Sequence, residues 1–237
     1  MTAPSQSAER QSAKRQSAAW GLPRVLDFFE SHRHTTSEYY PSERFFIDPR
    51  LRKGLTVLDI GCAQGGFIGV LSENLAEFSY TGLDVNAEMV ARARARHADQ
   101  EFHHVAENDF SVLGDRTFDL VLALGFFHLT THWRDTLALA WQHTGGALVF
   151  DFRETHLATI EDPSISYFRM NFNGGGSEYE ETVLPYNILN AGDALASVVE
   201  HCPGAANILH YGYRHPVSAA AVTPIPEVMA NVYCVER

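Results

Sequence analysis

Three short stretches hold the residue types and spacings that can do chemistry. Asp59-Ile60-Gly61-Cys62-Ala63-Gln64-Gly65 joins an apolar run, Leu55–Ile60, to an amphipathic one, Gly65–Leu75. A glycine-rich turn between a buried strand and a helix lets backbone approach a ligand, and the helix start offers unpaired N–H groups to a carboxylate or phosphate. Tyr80-Thr81-Gly82-Leu83-Asp84 ends the next run with an acid, 19 residues after Gly65. A carboxylate there accepts both hydroxyls of a ribose. Gly125-Phe126-Phe127-His128 follows a third apolar run and sets an imidazole at a strand end, a fitting place for a general base. A dinucleotide fold uses the same acid, but its Gly-x-Gly-x-x-Gly fingerprint has Ala63 at the middle glycine here, which leaves a pyrophosphate less room. A Gly-x-x-x-x-Gly-Lys-Ser/Thr loop is absent, which argues against a nucleoside triphosphatase.

Further polar groups cluster in Ser31–Pro41, where His32, His34, Tyr39 and Tyr40 are candidate substrate contacts. The segment reads equally as a solvated connector or as a lid over a pocket. Asp151 and Arg153 end another strand and either meet a polar substrate or pair with each other. Phe126, Phe127 and Trp133 line a pocket or fill the core. His128 and His132 have i, i+4 spacing and His32 and His34 are close, but two imidazoles make an incomplete metal site, so no metal is expected.

The elements positioning these residues alternate. Strands are expected at Leu55–Ile60, Ser79–Asp84, Glu101–Val105, Phe118–Leu124 and Ala147–Phe152, with helices at Gly65–Leu75, Ala87–His97 and His132–His143 between them. Continuous apolar strands separated by helices imply a parallel sheet covered on both faces, an α/β three-layer sandwich. A helix at Ala191–His201 and strands at Asn207–His215 and Val228–Val235 close it. Residues 153–190 break the rhythm and read as an insertion with a tip at Asn173-Gly174-Gly175-Gly176. Gln-Ser-Ala recurs with a period of five in residues 1–18, matching neither helix nor strand, so a disordered or solvated tail is expected, followed by a helical lid segment at 19–50 and the main domain at 51–237.

Composition narrows the class. At 45% hydrophobic residues, the 237-residue chain can bury a large core without staples. A formal net charge of −11 disfavours nucleic acid as a partner. Cys62, Cys202 and Cys234 are odd in number and far apart, as for free thiols in a cytoplasmic protein. No apolar run reaches the length of a membrane span and the first residues lack a signal-peptide core.

From about Leu55 to Phe152 the chain resembles the class I S-adenosylmethionine-dependent methyltransferases. The turn at Asp59–Gly65 is similar to that family's Asp/Glu-x-Gly-x-Gly-x-Gly motif, with Ala63 as the one departure, which should tighten the site modestly. The resemblance implies S-adenosylmethionine as cofactor and a mostly parallel seven-stranded sheet of order 3-2-1-4-5-7-6 with strand 7 antiparallel. It assigns the cofactor to Asp59, Gly61, Cys62, Ala63 and Gly65 in the turn and to Asp84 and Val85 at the ribose. Glu107, Asn108 and Asp109 would meet the adenine, and Leu124 and Gly125 the methionine part.

Methyl transfer from a sulfonium needs chiefly an aligned nucleophile in a water-free site. His128 is the candidate base, and His32, His34, Tyr39, Tyr40, Phe127 and Arg153 are candidate substrate contacts. Leu124-Gly125-Phe126-Phe127 stands where enzymes of the family that methylate exocyclic or amide nitrogens carry Asn/Asp-Pro-Pro-Tyr/Phe. The expected acceptor is therefore a small metabolite such as a sugar, amine, phenol or secondary-metabolite acid, and a homodimer is compatible with this. Two alternatives stay open: an NAD(P)-dependent oxidoreductase, and a catalytically silent S-adenosylmethionine-binding subunit.

Overall fold

The computed structural model describes residues 19–170 and 183–237. The Gln-Ser-Ala repeats and the Asn173–Gly176 tip lie outside the described residues. The helices are α1 (Pro23–Ser31), α2 (Pro41–Ile47), α3 (Phe67–Asn74), α4 (Ala87–Arg96), α5 (Trp133–Gln142) and α6 (Ala191–His201). The main strands are β1 (Leu55–Ile60), β2 (Phe78–Asp84), β3 (Glu101–His104), β4 (Phe118–Ala123), β5 (Thr144–Thr155), β9 (Asn207–Pro216) and β11 (Glu227–Glu236). Short strands β6 (Tyr167–Arg169), β7 (Val183–Pro185), β8 (Leu189–Asn190) and β10 (Ala221–Val222) lie in and around the insertion.

The main sheet runs β3-β2-β1-β4-β5-β11-β9, with β8 added beside β5. Neighbours from β3 to β5 are parallel, and β11 is antiparallel to both β5 and β9. This is the sheet order that the resemblance implies. Each face of the sheet is buried, which explains the unbroken apolar strands. On one face Leu58, Val121, Phe150 and Phe152 pack with Trp133, Leu137 and Val198 from α5 and α6. On the other, Leu55, Val57, Leu122 and Val149 pack with Phe46, Phe67, Leu71 and Val90 from α2, α3 and α4. The chain crosses from one face to the other between β1 and β4, so the crevice beyond their carboxyl ends opens at the topological switch point.

Boundaries shift by a few residues from the sequence reading. β5 starts at Thr144 and continues to Thr155, because β11 pairs with it from Ala147 to Glu154 and stabilises residues with no apolar pattern of their own. Among the described residues of and around the insertion, β6, β7 and β10 form a small second sheet, and Phe168, Met170, Leu184 and Tyr186 pack on Val25 and Leu26 of α1.

Residues 31–40 cross the start of α3. Two glycines admit them: a Cβ at Gly66 would lie 2.5 Å from the Arg33 carbonyl oxygen, and one at Gly69 would lie 1.9 Å from that of His34. Glu38 holds the crossing in shape. Its carboxylate accepts the N–H groups of Arg33, His34 and Thr35 at 3.2, 2.9 and 2.9 Å. These bonds, the one from His34 foremost, push the Glu38 carboxyl down to about 2. Thr36 N–H donates to Glu73 of α3 at 2.9 Å. These contacts tie residues 31–40 to α3. Gly69→Ala is expected to dislodge that segment, at about 1–3 kcal/mol of stability. Faster proteolysis within residues 31–40, with an unchanged circular dichroism spectrum, is the measurable result.

Candidate functional site

The crevice at the β1/β4 switch point is a cavity of about 850 Å³. That size falls in the upper part of the range of about 300–1,000 Å³ usual for small-molecule sites. Its floor is the turn after β1. Gly61 and Cys62 donate N–H groups to the Leu83 carbonyl at 2.8 and 3.1 Å, which ties this turn to the end of β2. Gly61 and Gly65 take φ of +73° and +76°, and Ala63 takes +47°. The left-handed region costs a residue with a Cβ about 1–2 kcal/mol. The Ala63 conformation is held by its N–H, which donates to Asp84 Oδ2 at 2.9 Å, while Asp84 Oδ1 accepts from Asn86 N–H at 2.8 Å. The Val85 N–H bonds to this carboxylate as well, which leaves it one acceptor position for a further donor. Burial raises the Asp84 pKa against the pull of those N–H groups.

Most of the expected contacts converge here. Asp59, Gly61, Cys62, Ala63, Asp84 and Val85 line the cavity, as do Glu107, Asn108, Leu124 and Gly125. So do His32, Tyr39, Tyr40, His128 and Arg153. Four expected residues do not reach it. Gly65 shapes the turn from behind, where a Cβ would lie 3.0 Å from the Phe102 ring. Asp109 faces solvent and accepts from the Ser111 hydroxyl at 2.6 Å. His34 turns its ring to the Phe29 carbonyl at 3.1 Å. Phe127 is fully buried among Phe150 and Phe152, whereas its neighbour Phe126 lies against Gly61 on the cavity side. Trp133 is also core. His132 is part-exposed, with Nδ1 4.0 Å from Asp135. Among the described residues no group of three or more His, Cys, Asp or Glu is arranged to hold a metal, and no helix is long and apolar enough to cross a membrane.

Three residues on or beside the wall are not singled out by the sequence, Gln64 because it fills a variable position of the glycine turn. Arg33, at φ +65°, places its guanidinium 4.2 Å above the Tyr39 ring and donates to buried Glu43 at 2.9 Å. Gln64 is 1% exposed; its Nε2 donates to the Leu26 carbonyl at 2.7 Å and its Oε1 has no partner among the described residues. Tyr186 stands edge-on to His128, ring centroids 5.5 Å apart.

His128 sits on a 3₁₀ turn, Phe127–Leu129, clamped by Asn187. Asn187 N–H donates to the His128 carbonyl at 2.8 Å, and its Nδ2 to the carbonyls of Phe127 and Thr130 at 3.2 and 2.7 Å. His128 Nδ1 is buried without a hydrogen-bond partner among the described residues, 4.0 Å from Asp151 Oδ2. Burial first, and then the charge of Arg153, push the imidazole down to about 3, so it stays neutral at physiological pH. Asp151 binds Arg153 Nη1 at 2.5 Å and accepts the Gly125 N–H through its other oxygen. These two residues near the end of β5 thus pair with each other, with Arg153 still on the cavity wall.

Asp59 is half-buried and accepts the Tyr80 hydroxyl at 2.6 Å, and desolvation pushes its carboxyl up to about 7. The folded chain keeps that proton to about pH 7, while the unfolded chain releases it near 3.8. The Asp59 contribution to stability therefore falls as pH rises between those values. Asp59→Asn is expected to gain stability relative to the parent across that window, seen as urea midpoints that diverge with rising pH; parallel curves would contradict it.

A family profile described as a methyltransferase domain matches residues 58–145. The fatty-acid O-methyltransferase of Mycolicibacterium smegmatis is 35% identical over 79 residues, 32% of this chain and 28% of that one. The malonyl-[acyl-carrier protein] O-methyltransferase of Pectobacterium atrosepticum is 29% identical over 158 residues, 63% of this chain and 56% of that one. The chain thus spans between about a quarter and just over half of the length of these curated relatives. The solved 1,6-didemethyltoxoflavin-N1-methyltransferase of Burkholderia thailandensis superposes over 100% of this chain and 93% of that one, with a TM-score of 0.61 at 15% identity, a likeness of fold. The methyltransferase-domain profile thus lies across β1 to the start of β5, the part of the sheet that holds the glycine turn and Asp84.

Proposed function

We propose that the protein transfers the methyl group of S-adenosylmethionine to a small-molecule acceptor held between its N-terminal segment and its insertion. The observation that carries this is the floor of the cavity. Asp84, a buried carboxylate held by backbone N–H groups, and Gln64, whose buried Oε1 has no partner among the described residues, line one continuous space that reaches a neutral imidazole. A buried polar atom without a partner is costly unless a ligand satisfies it. These groups suit a ribose diol and an ammonium, which the proposed cofactor has at suitable places. Asp84 would hold the ribose, Val85, Glu107 and Asn108 the adenine, and Gln64 with Asp59 the amino acid end.

When bound, the cofactor supplies a methyl group on a positively charged sulfur that departs as a neutral thioether. The chain's own work is positioning and drying. Residues 31–40 roof the cavity, and Phe126 and Leu124 supply apolar wall. His128, neutral and clamped by Asn187, offers a lone pair to the proton of a hydroxyl or amine nucleophile, and Asp151 at 4.0 Å stabilises the imidazolium that results. Holding reactants in line is worth about 7–11 kcal/mol of barrier, and a positioned base a further factor of about 10²–10⁴. The relatives named for methylation of fatty acids and of an acyl carrier protein's malonyl group support a small organic acceptor.

Titration calorimetry with S-adenosylmethionine and with NAD tests the cofactor. S-adenosylmethionine is expected to bind and NAD to fail; the reverse would point to an oxidoreductase. Asp84→Ala should weaken cofactor binding by about 1–3 kcal/mol through loss of a charged acceptor. With an acceptor found by S-adenosylhomocysteine release, His128→Ala is expected to cut turnover by at least about tenfold while cofactor affinity holds. Equal losses in both would remove His128 from the base role.

A further inference from the structure

The acceptor end of the cavity contains a charged group that the methyl-transfer reading does not use. Arg153 on β5 pairs with Ala230 on β11, and Ala230 pairs with Tyr213 on β9. Residues in such a cross-strand row face the same side of a sheet. Ala230 is too small to separate its neighbours, so Tyr213 stands beside Arg153, which with Tyr40 lines the cavity. Tyr40 leans over it from the start of α2, its ring centroid 6.4 Å from that of Tyr213. Tyr186 closes the far side, edge-on to His128 and with its hydroxyl in hydrogen-bond reach of Arg153.

We propose that the acceptor carries a carboxylate, and that it docks on Arg153 among the hydroxyls of Tyr40, Tyr186 and Tyr213, beside His128. The proposal rests on the methyl-transfer reading for calling that molecule the acceptor; the carboxylate site itself rests on the geometry of this end of the cavity.

An arginine has five N–H donors in a planar fork matched to a carboxylate. Arg153 directs Nη1 at Asp151, whose other oxygen is already engaged by the Gly125 N–H, so the pair leaves fork donors unspent at the cavity wall. The surroundings do not repel an anion. Asp151 is neutralised by Arg153 and Glu43 on α2 by Arg33, while His128 carries no charge. Asp59, the next carboxyl along the wall, is bonded to Tyr80. In a chain of formal charge −11, a guanidinium framed by three phenols is the local exception. The same arrangement suits neutral amides far less, because an amide offers one acceptor oxygen to the fork and adds donors that face other donors.

The test uses matched probes, phenylacetate and octanoate against their primary amides, titrated into the full chain with S-adenosylhomocysteine present and absent. Carboxylates are expected to bind at least roughly tenfold more tightly than amides. Arg153→Gln should erase that preference while S-adenosylhomocysteine affinity stays within about twofold, and Arg153→Lys, a point charge without the fork, should keep a weakened preference. Should Arg153→Gln fail to fold for want of a partner for Asp151, Tyr213→Phe decides. It removes one half-buried hydroxyl and should weaken carboxylate binding several-fold. Equal binding of acids and amides, no carboxylate binding at millimolar concentration, or carboxylate binding untouched by the Arg153 and Tyr213 changes would overturn the proposal. Failure of S-adenosylhomocysteine to bind, with the Arg153-dependent preference intact, would instead sink the methyl-transfer reading and leave this site standing.

Discussion

The carboxylate of Asp84 bridges two turns that would otherwise be independent. One oxygen holds the N–H of Ala63 in the loop after β1, the other that of Asn86 at the head of α4. Both loops leave the sheet at the same edge, and each ends in backbone groups that no strand or helix satisfies. Linking them through one buried acid fixes the shape of the cavity floor and keeps Ala63 in a backbone region that alanine avoids. The roof depends on the same floor: α3 begins where the first turn ends, and residues 31–40 lie on Gly66 and Gly69 at its start. A displaced Asp84 would loosen both.

Much of this was legible in the sequence, for identifiable reasons. Strands buried on both faces are rich in apolar and aromatic residues with few charges, so β1, β2 and β4 emerge within a residue or two of their observed limits. The glycine turn and Asp84 stand at fixed places relative to those strands, so local order suffices to assign them. Sheet order and the antiparallel strand came from family resemblance, and the pairing of β11 between β5 and β9 agrees with it.

What stayed hidden was set by tertiary contact. Gly66 and Gly69 look like ordinary glycines of a helix start until the chain passing over them is known. Arg33 and Gln64 acquire meaning from Glu43, Tyr39 and Leu26, partners that no periodicity connects to them. Phe126 and Phe127 are adjacent and chemically identical, yet the 3₁₀ turn sends one to the cavity and the other to the core, a choice governed by the room between Phe150 and Phe152. His34 misleads in the same way: two residues from His32, it is claimed by the Phe29 carbonyl.

The clamp by Asn187 has a consequence for how the reactive turn is held. One side chain and one N–H, at the end of the insertion, hold the three carbonyls that shape the His128 turn. Asn187 marks a seam: its three bonds fix the turn that carries His128 independently of the side chains that precede it, so a change at Asn187 frees that turn, whereas a change elsewhere in the segment leaves the three bonds in place.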